Sequence, residues 1–418
     1  MRKIFQKNKH KLKHNISFND ICFWLITIDI FFLPYLPFVA ISGSVVILSI
    51  WIIRNLVINE KGKIKDKEKV FFALMLFVML ISTLSNLFYT GDVVFETSFG
   101  TAIKRLMQYS LSFGLYFFYK DYFKNNSIDV SKILFIFIFY VALFAFFYKS
   151  FPLQYATYKY YLTPSDNHTM RYLANMVLYR FNYLWVDPNN VAYCIGGVSM
   201  WYLFNVKERM LKKTILLVLS TYIILCTQSI GGLITLVICV AIYFIYLLIK
   251  SFKFKIKPKT VFVCLLIIVG LLSIYKFSSI SDYVEQNYLV NLRMRKNYYT
   301  NITMGGRGED IVKSLNYLNP ILIISGSGNE GFSYEIGHFY WIGMYGLISY
   351  LIFIWIIFRK QKQQSFERYI WIMPFFIGFT LNIAIGEFKW LAILFFLLAF
   401  SRWSMDNFEK ESEVKDDA

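Results

Sequence analysis

Long apolar stretches alternate with short polar connections along the whole chain. A helix needs about 20 mostly apolar residues to cross a membrane, and roughly twelve stretches approach that length. They lie near 20–35, 38–58, 70–89, 100–119, 132–148, 188–206, 214–228, 230–249, 260–276, 337–358, 369–386 and 388–403. The pattern predicts an all-α, polytopic integral membrane protein with about 12 transmembrane helices in a single membrane domain over residues 1–418.

Positive charge falls in every second connection. About 30 of the 44 Lys and Arg residues lie in the tails and in connections on one side of a twelve-pass path, while the alternate connection at 90–99 has none. Cytoplasmic loops of membrane proteins collect Lys and Arg. We therefore expect a protein of the cytoplasmic membrane with both termini inside the cell, as a basic tail at 1–19 and a charged tail at 404–418.

The overall composition agrees with this interpretation. The chain is 57% hydrophobic and only 17% charged, too little charge to cover a soluble surface, although its formal net charge is +18. Nucleic-acid binding would require the cations on one face, so their dispersal among loops excludes it. The five cysteines all lie in apolar stretches, which predicts neither a disulfide framework nor a metal site.

The same path leaves two long loops on the external side, at about 149–187 and 277–336. Long ordered loops are usually functional, although they can merely cap a helix bundle. The second loop contains Ile311, Leu315 and Leu318 on one helical face, which predicts an interfacial amphipathic helix near 309–319.

Arginine makes up a larger share of the basic residues in the external loops than in the cytoplasmic segments. The cytoplasmic segments hold about 25 Lys and 5 Arg, whereas the external loops hold five of each. The planar guanidinium binds phosphate or carboxylate in bidentate fashion, unlike the point charge of lysine. An external anion site for phosphate or pyrophosphate is therefore predicted, with pairing to loop carboxylates as the alternative. The external arginines are Arg171, Arg180, Arg293, Arg295 and Arg307.

The first of three polar segments runs from Arg180 into the sixth apolar stretch. Asp187 is a suitable N-cap and Pro188 suits the first position of a helix. Local structure does not explain Asn189 and Asn190, because paired amides at membrane depth need partners or substrate.

The other two segments are a turn and the end of the second loop. The turn at 227–232 contains glycine and small polar residues, which turns require for local reasons. The loop end combines a glycine-rich run, which lacks the lysine and spacing of a phosphate-binding P-loop, with His338. A lone histidine is more often packed than functional, but His338 shares its compartment with the arginines.

Together these segments resemble the O-antigen polymerase and O-antigen ligase superfamily of bacterial envelope glycan enzymes, over roughly residues 180–358. Two positions depart from the family pattern, since Ile230 replaces the usual arginine of the turn and Tyr183 replaces a frequent glycine. These departures argue against a typical ligase more than against a polymerase. The matching positions are Arg180, Pro188, Asn189, Ser229, Gly231, Arg307, Gly326, Gly328 and His338.

The resemblance implies a GT-C-like membrane glycosyltransferase without a cofactor. Its expected substrate is undecaprenyl-pyrophosphate-linked oligosaccharide, polymerised at the outer face into O-antigen or capsular polysaccharide. We expect His338 to act as base or to position the acceptor, and Arg180 and Arg307 to clamp the pyrophosphate without a metal. The flippase and the chain-length regulator of the same pathway are candidate partners. Further substrate-binding candidates are Arg171, Arg293, Arg295, Asn189, Asn190, Glu330 and Glu335, the two glutamates doubling as fallback bases.

Aromatic residues of the first external loop suit either stacking on sugar rings or anchoring at the membrane interface. Both interpretations stay open at this point. The residues are Tyr155, Tyr158, Tyr160, Tyr161, Tyr172, Phe181, Tyr183 and Trp185.

Three alternatives to a polymerase remain. A ligase would transfer the glycan to another acceptor, and a flippase would transport it. A flippase is expected to have short loops and charged residues lining a path, whereas the charges noted inside the stretches, Lys104, Arg105 and Lys389, lie near outer ends. A peptidoglycan glycosyltransferase of the shape-and-division type shares the topology, but its loop signatures are missing from the sequence.

Overall fold

The computed structural model describes residues 17–36, 42–58, 67–89, 97–162, 180–185, 187–206, 209–252, 320–329, 336–359, 369–381 and 386–416. Regular structure within these ranges is helical, without a β-strand. The helices are α1 (Phe18–Phe32), α2 (Gly43–Ile58), α3 (Lys67–Ser85), α4 (Phe99–Asn125), α5 (Val130–Ser150), α6 (Pro152–Leu162), α7 (Pro188–Asn205), α8 (Met210–Thr227), α9 (Ile230–Phe252), α10 (Pro320–Ser325), α11 (Gly337–Phe358), α12 (Ile372–Leu381) and α13 (Phe388–Asp416).

Each predicted stretch except 260–276 coincides with one of these helices. That stretch and the predicted amphipathic helix near 309–319 lie outside the described residues. Two short helices were not predicted, α6 inside the first external loop and α10 before α11, and α13 continues through most of the predicted tail at 404–418. The all-α prediction is therefore confirmed for the described part of the chain.

Several helices have the length and composition of membrane spans. Five of those in the described ranges are long and apolar enough to cross a membrane: Glu68–Ser85, Val130–Ser150, Met210–Thr227, Ile230–Leu247 and Gly337–Phe358. Large apolar side chains are exposed along helix faces, such as Phe77 at 60% and Phe146 at 61%. Such large apolar faces are unfavourable in contact with water and favourable in contact with lipid. The fold is that of a helical membrane protein, whereas twelve crossings and a GT-C-like architecture stay predictions.

Helix α7 lies at the centre of the bundle. Every residue from Pro188 to Leu203 is buried except Asn189. Helices α8, α9 and α12 pack around it, with further contacts from α5 and α13. Because α7 is enclosed, its first turn is held in a fixed position relative to the ends of its neighbours.

Helix α11 is sharply bent at Gly346, whose φ of 80° and ψ of 164° are not helical. A straight helix would separate His338 from Tyr350 by about 18 Å along its axis. Instead the Tyr350 hydroxyl lies 2.9 Å from His338 Nδ1, and the rings of Trp341 and Phe353 stack with centroids 4.8 Å apart. The two halves of α11 therefore fold against each other.

A cluster of charges around Glu68 joins four helices at one end of the bundle. The Glu68 carboxylate lies 2.6 Å from Lys120 Nζ, 3.1 Å from Arg359 Nη1 and 3.3 Å from Arg402 Nη1. The Tyr116 hydroxyl donates to the same carboxylate at 3.0 Å. The three cations belong to segments that the charge pattern assigns to the cytoplasm. Their convergence agrees with the predicted alternation of helix directions, while the side of the membrane stays a prediction.

A second cluster, around Lys389, lies at the N-terminal end of α13. The buried ammonium of Lys389 donates to the carbonyl oxygens of Asp29 and Leu33, both at 2.6 Å, and of Pro34 at 3.2 Å. It also lies 3.7 Å from Asp29 Oδ1. Lysine thereby caps the negative C-terminal end of α1.

Asp29 in turn connects α1 to α2. Its carboxylate accepts hydrogen bonds from the backbone N–H of Gly43 at 3.2 Å and of Ser44 at 2.8 Å, and from the Ser42 hydroxyl. These two N–H groups have no partner within α2 itself, and the N-terminal end of a helix stabilises negative charge. One buried ion pair therefore joins the first, second and last helices of the described chain.

Candidate functional site

Helix α7 begins with a local N-terminal cap. Asp187 Oδ1 accepts a hydrogen bond from the Asn189 backbone N–H at 2.7 Å, and Pro188 is the first helical residue. Proline has no N–H to leave unpaired there, and the carboxylate faces the positive end of the helix dipole. The predicted helix start is confirmed.

Arg180 connects this helix start to the end of α8. Its Nε donates to the Thr227 carbonyl oxygen at 2.9 Å, and its Nη2 donates to Asn189 Oδ1 at 2.9 Å. Thr227 is the last residue of α8, where carbonyl groups make the helix end negative. The guanidinium is therefore stabilised as a cation and fixed in orientation by two different helices.

The turn between α8 and α9 supplies a third side chain, Ser229, which joins Arg180 and Asn189. Ser229 Oγ donates to Asn189 Oδ1 at 2.8 Å and accepts from the Gly232 backbone N–H at 3.2 Å. Gln228 ends α8 in the left-handed conformation, with φ 52° and ψ 30°. Asn189 Oδ1 therefore accepts from both Arg180 and Ser229. We call these three side chains the arginine cluster.

The segment 180–185 holds Arg180 in place. The Phe181 backbone N–H donates to the Cys226 carbonyl oxygen at 3.0 Å, and the Tyr183 hydroxyl donates to the Phe31 carbonyl oxygen at 2.7 Å. Tyr183 has a φ of 51°, in the left-handed region that side chains other than glycine rarely adopt. The segment is thereby tied to both α8 and α1.

Helix α6 supports the same segment from its other side. The buried Lys159 ammonium donates to the Trp185 carbonyl oxygen at 3.0 Å, and Tyr155 donates to the Tyr183 carbonyl oxygen at 3.0 Å. Burial lowers the pKa of Lys159 to about 7. Part of the predicted first external loop is thus packed against the segment that contains Arg180.

This packing decides the role of several loop aromatics. Tyr155, Phe181, Tyr183 and Trp185 are each at most 1% exposed. Buried rings neither stack on a sugar nor anchor at an interface, so both predictions are wrong for these four residues. Tyr158 is 38% exposed and keeps both possibilities. The remaining three lie outside the described side chains: Tyr160, Tyr161 and Tyr172.

His338 lies at the start of α11 among aromatic rings. Its Nε2 is 2.8 Å from Thr380 Oγ1 and its Nδ1 is 2.9 Å from the Tyr350 hydroxyl. The imidazole stacks on Phe379 and also contacts Phe376, with centroids 5.5 and 4.9 Å away. Both ring nitrogens are therefore engaged by side-chain hydroxyl groups.

The last turn of α12 lies between His338 and the arginine cluster. Thr380 contacts His338, and a Cβ added to Gly231 would lie 3.5 Å from Leu381 Cδ1 and 2.3 Å from the Tyr193 hydroxyl. The lack of a side chain at Gly231 thus allows α9 to approach α7 and α12.

Of the remaining predicted site residues, the structure describes Asn190. Asn190 is buried in α7 with 5% exposure, next to the arginine cluster. The others lie outside the described residues, so their proximity to Arg180 stays a prediction. They are Arg171, Arg293, Arg295, Arg307, Glu330 and Glu335.

The glycine-rich segment at 326–329 has a structural role. Gly326 and Gly328 have φ of 72° and 65°, and a Cβ on Gly328 would lie 2.4 Å from the Ser82 carbonyl oxygen. The backbone N–H groups of Ser327 and Gly328 donate to carbonyl oxygens at the bend of α11, both at 2.9 Å. Because these amides are already used, they do not form a phosphate-binding nest.

Sequence reasoning overlooked Tyr350 and Thr380. Both are polar side chains inside apolar stretches, where such groups are costly and usually have a partner. That cost is a signal, but it does not identify the partner. In the part of the chain that the structure describes, no three His, Cys, Asp or Glu side chains gather as metal ligands would.

Comparison with known proteins does not assign a family. No protein-family model matches the chain, and no curated protein and no solved structure matches it.

Proposed function

We propose that this protein is a membrane glycosyltransferase that polymerises lipid-pyrophosphate-linked oligosaccharide units into a cell-surface polysaccharide at the outer face of the cytoplasmic membrane. The arginine cluster carries the proposal. Arg180, Asn189 and Ser229 come from two of the polar segments that resemble the O-antigen polymerase and ligase superfamily, and they converge at one Asn189 oxygen.

The chemistry of the proposed reaction requires positive charge where the pyrophosphate departs. Arg180 supplies a permanent cation whose orientation is set by Thr227 and Asn189 before substrate binds. Such preorganised charge stabilises a leaving group without reorganisation during the reaction. Arg307 would complete the clamp, and the second rank would be Arg171, Arg293 and Arg295, with Glu330 and Glu335 near the glycan. Asn190 is buried beside Asn189 and would support the cluster from within α7.

The backbone at Tyr183 gives further support. The superfamily frequently has glycine at this position, and Tyr183 adopts a φ of 51° that glycine adopts without strain. The tyrosine hydroxyl donates to the Phe31 carbonyl oxygen, a bond that offsets the backbone cost here. Segment 180–185 can therefore keep a conformation that suits glycine although the residue has changed.

The flippase alternative deserves comparison because α1 contains a buried charge. Asp29 lies within the first apolar stretch and pairs with Lys389, so helix interiors carry more charge than the sequence interpretation allowed. The two residues are bonded to each other and to the ends of α1 and α2. Charges bound to helix ends stabilise the bundle and do not line a path, which favours the enzyme.

Reconstitution tests the proposal directly. The purified protein in liposomes, supplied only with lipid-linked repeat units on its outer face, should produce a ladder of longer lipid-linked glycans. Transfer restricted to a different acceptor would indicate a ligase. Movement of intact units between leaflets without any new glycosidic bond would refute the proposal and indicate a flippase.

Arg180 variants test the cluster within the same assay. We expect Arg180→Ala to abolish elongation. Arg180→Lys should also show little elongation, because an ammonium does not reproduce the planar guanidinium that bonds Thr227 and Asn189 at once. Lys149→Ala is the matched control, since Lys149 is an exposed cation in the last turn of α5. Equal loss in both alanine variants would remove the assignment of Arg180.

A further inference from the structure

The hydrogen bonds around His338 determine which ring nitrogen carries hydrogen. The Thr380 hydroxyl donates its one hydrogen to the Phe376 carbonyl oxygen, 3.0 Å away on the preceding turn of α12. Thr380 Oγ1 can therefore only accept from His338 Nε2, 2.8 Å away. In the neutral imidazole Nε2 is then the donor, and the lone pair lies on Nδ1.

That lone pair points at the Tyr350 hydroxyl, at 2.9 Å. Tyr350 can donate to Nδ1 when the imidazole is neutral and accept from Nδ1 when it is protonated, by rotation of its O–H bond. Neither ring nitrogen has room for a direct hydrogen bond to a substrate hydroxyl while these contacts persist. Tyr350 is half-buried, and its hydroxyl is the one group of this arrangement besides the imidazole that bonds to no backbone atom among the described contacts.

We propose that Tyr350 is a catalytic residue that contacts the acceptor hydroxyl and relays its proton to His338, with Thr380 as the positioning residue that fixes the imidazole. This inference rests on the proposed glycosyltransferase function. The bend at Gly346 makes it possible, because it brings Tyr350 beside His338 although the two lie on one helix.

In the proposed step two protons move, and one C–O bond at the anomeric carbon replaces another. The acceptor O–H proton passes to the Tyr350 oxygen while the Tyr350 proton passes to His338 Nδ1. The acceptor oxygen forms a bond with the anomeric carbon, and the bond from that carbon to the pyrophosphate oxygen breaks. The lipid pyrophosphate leaves with the electron pair and one additional negative charge, and His338 holds one additional positive charge until it releases the proton to water.

No other titratable group contacts the pair from the neighbouring described helices. Helix α12, which packs against the imidazole, has the sequence IMPFFIGFTL without an ionisable side chain, and α10 has none either. The ionisable residues of α3, which packs along α11, lie in its first turn at the far end of the helix. Tyr109 of α4 also contacts α11, but at Trp341 and Tyr345. Among the described residues of these four helices, a pH effect at this position therefore reports on His338 and Tyr350.

Kinetics of the reconstituted protein test the relay. We expect Tyr350→Phe to lower kcat by about 10²- to 10⁴-fold, the usual contribution of a positioned acid or base, with an unchanged KM for the lipid-linked donor. Thr380→Val should lower kcat as well, and Thr380→Ser should restore it. Replacement of Tyr350 by 3,5-difluorotyrosine should retain activity and shift the pH profile, which a purely structural tyrosine would not do.

Nitrogen NMR of the imidazole gives a readout that does not need activity. The chain has four histidines, so ¹⁵N-histidine labelling with His338→Gln as the assignment reference isolates this ring. The expected spectrum shows the Nε2–H tautomer with a hydrogen-bonded Nδ1 that changes in Tyr350→Phe. An Nδ1–H tautomer overturns the relay whatever the activity, and so does wild-type kcat in Tyr350→Phe. Absence of any elongation by the wild-type protein instead overturns the proposed function itself.

Discussion

Removal of the Lys389 ammonium should destabilise the whole bundle, because this group satisfies several partners at once. In Lys389→Met the side chain keeps nearly the same length but donates no hydrogen bond. The carbonyl groups of Asp29, Leu33 and Pro34 each lose a bond to a cation, and the Asp29 carboxylate loses its ion pair. Lys389 is fully buried, so water does not replace these contacts.

The magnitude follows from the geometry. One hydrogen bond to a charged group contributes about 1.5–3 kcal/mol, and removal of one partner of a buried ion pair costs about 3–5 kcal/mol. Because the contacts share one ammonium they do not add, and we expect Lys389→Met to lose about 4 kcal/mol of unfolding free energy. Neutralising its partner as well, in Lys389→Met with Asp29→Asn, should recover about 1–3 kcal/mol.

Equilibrium unfolding in mixed detergent and dodecyl sulfate micelles, followed by tryptophan fluorescence, measures these differences. Lys104→Met is the matched control, since Lys104 is an exposed lysine of α4 and should change stability by less than about 0.5 kcal/mol. A Lys389→Met variant as stable as the control would refute the reasoning. Strict additivity of the two substitutions would show that Lys389 and Asp29 are not paired.

Three further substitutions test separate features. Gly328→Ala should cost more than about 2 kcal/mol, because its Cβ would lie 2.4 Å from a carbonyl oxygen of α3 at a positive φ, while Gly100→Ala, with no atom within 4 Å, should be nearly neutral in the same unfolding assay. Lys159 is deprotonated in the fold above a pKa of about 7 but stays protonated in the unfolded chain up to 10.5. Stability should therefore rise between pH 7 and 10 by up to about 1.4 kcal/mol per unit, and parallel pH curves for wild type and Lys159→Met would contradict this. Glu68→Gln should cost about 3–5 kcal/mol because it leaves Arg402 and two further cations without their carboxylate, and a loss below 1 kcal/mol would argue against the cluster.

Features that depend on neighbouring residues were predictable from the sequence. Apolar length located the helices, and the Asp187–Pro188 pair located the start of α7, because a cap acts within two or three residues. Residue chemistry also selected Arg180 and Asn189, two side chains that the structure brings into contact, while their role in a substrate site stays a prediction. It did not reveal that they bond to each other, since that requires the packing of α7 against α8.

The bend of α11 shows the limit of local reasoning. Gly346 lies in an apolar stretch, and glycine is common in straight membrane helices. The Ile324 carbonyl oxygen would lie 2.3 Å from a Cβ at this position, so the close approach of α10 leaves room for glycine alone. Hydropathy therefore found the stretch but neither its bend nor the Tyr350 contact that the bend creates.

Pairing between buried charges was also not predictable from the sequence pattern. The sequence interpretation treated Lys389 as a residue near an outer helix end and overlooked Asp29 within the first stretch. Their pairing spans 360 positions and that of Glu68 with Arg402 spans 334. No pattern within one stretch indicates such a partner. Only the cost of an isolated charge in an apolar helix suggests that a partner exists.

These separations have a consequence for the making of the protein. Ribosomes add about 5–20 residues per second, so Asp29 enters the membrane roughly 20–70 s before Lys389 has been synthesised. Throughout that interval the first helix contains a carboxylate without its cation. A chain truncated before α13 lacks Lys389, so its first helix keeps this carboxylate without the paired cation. Docking of α13 therefore supplies the cation that this carboxylate lacks until then.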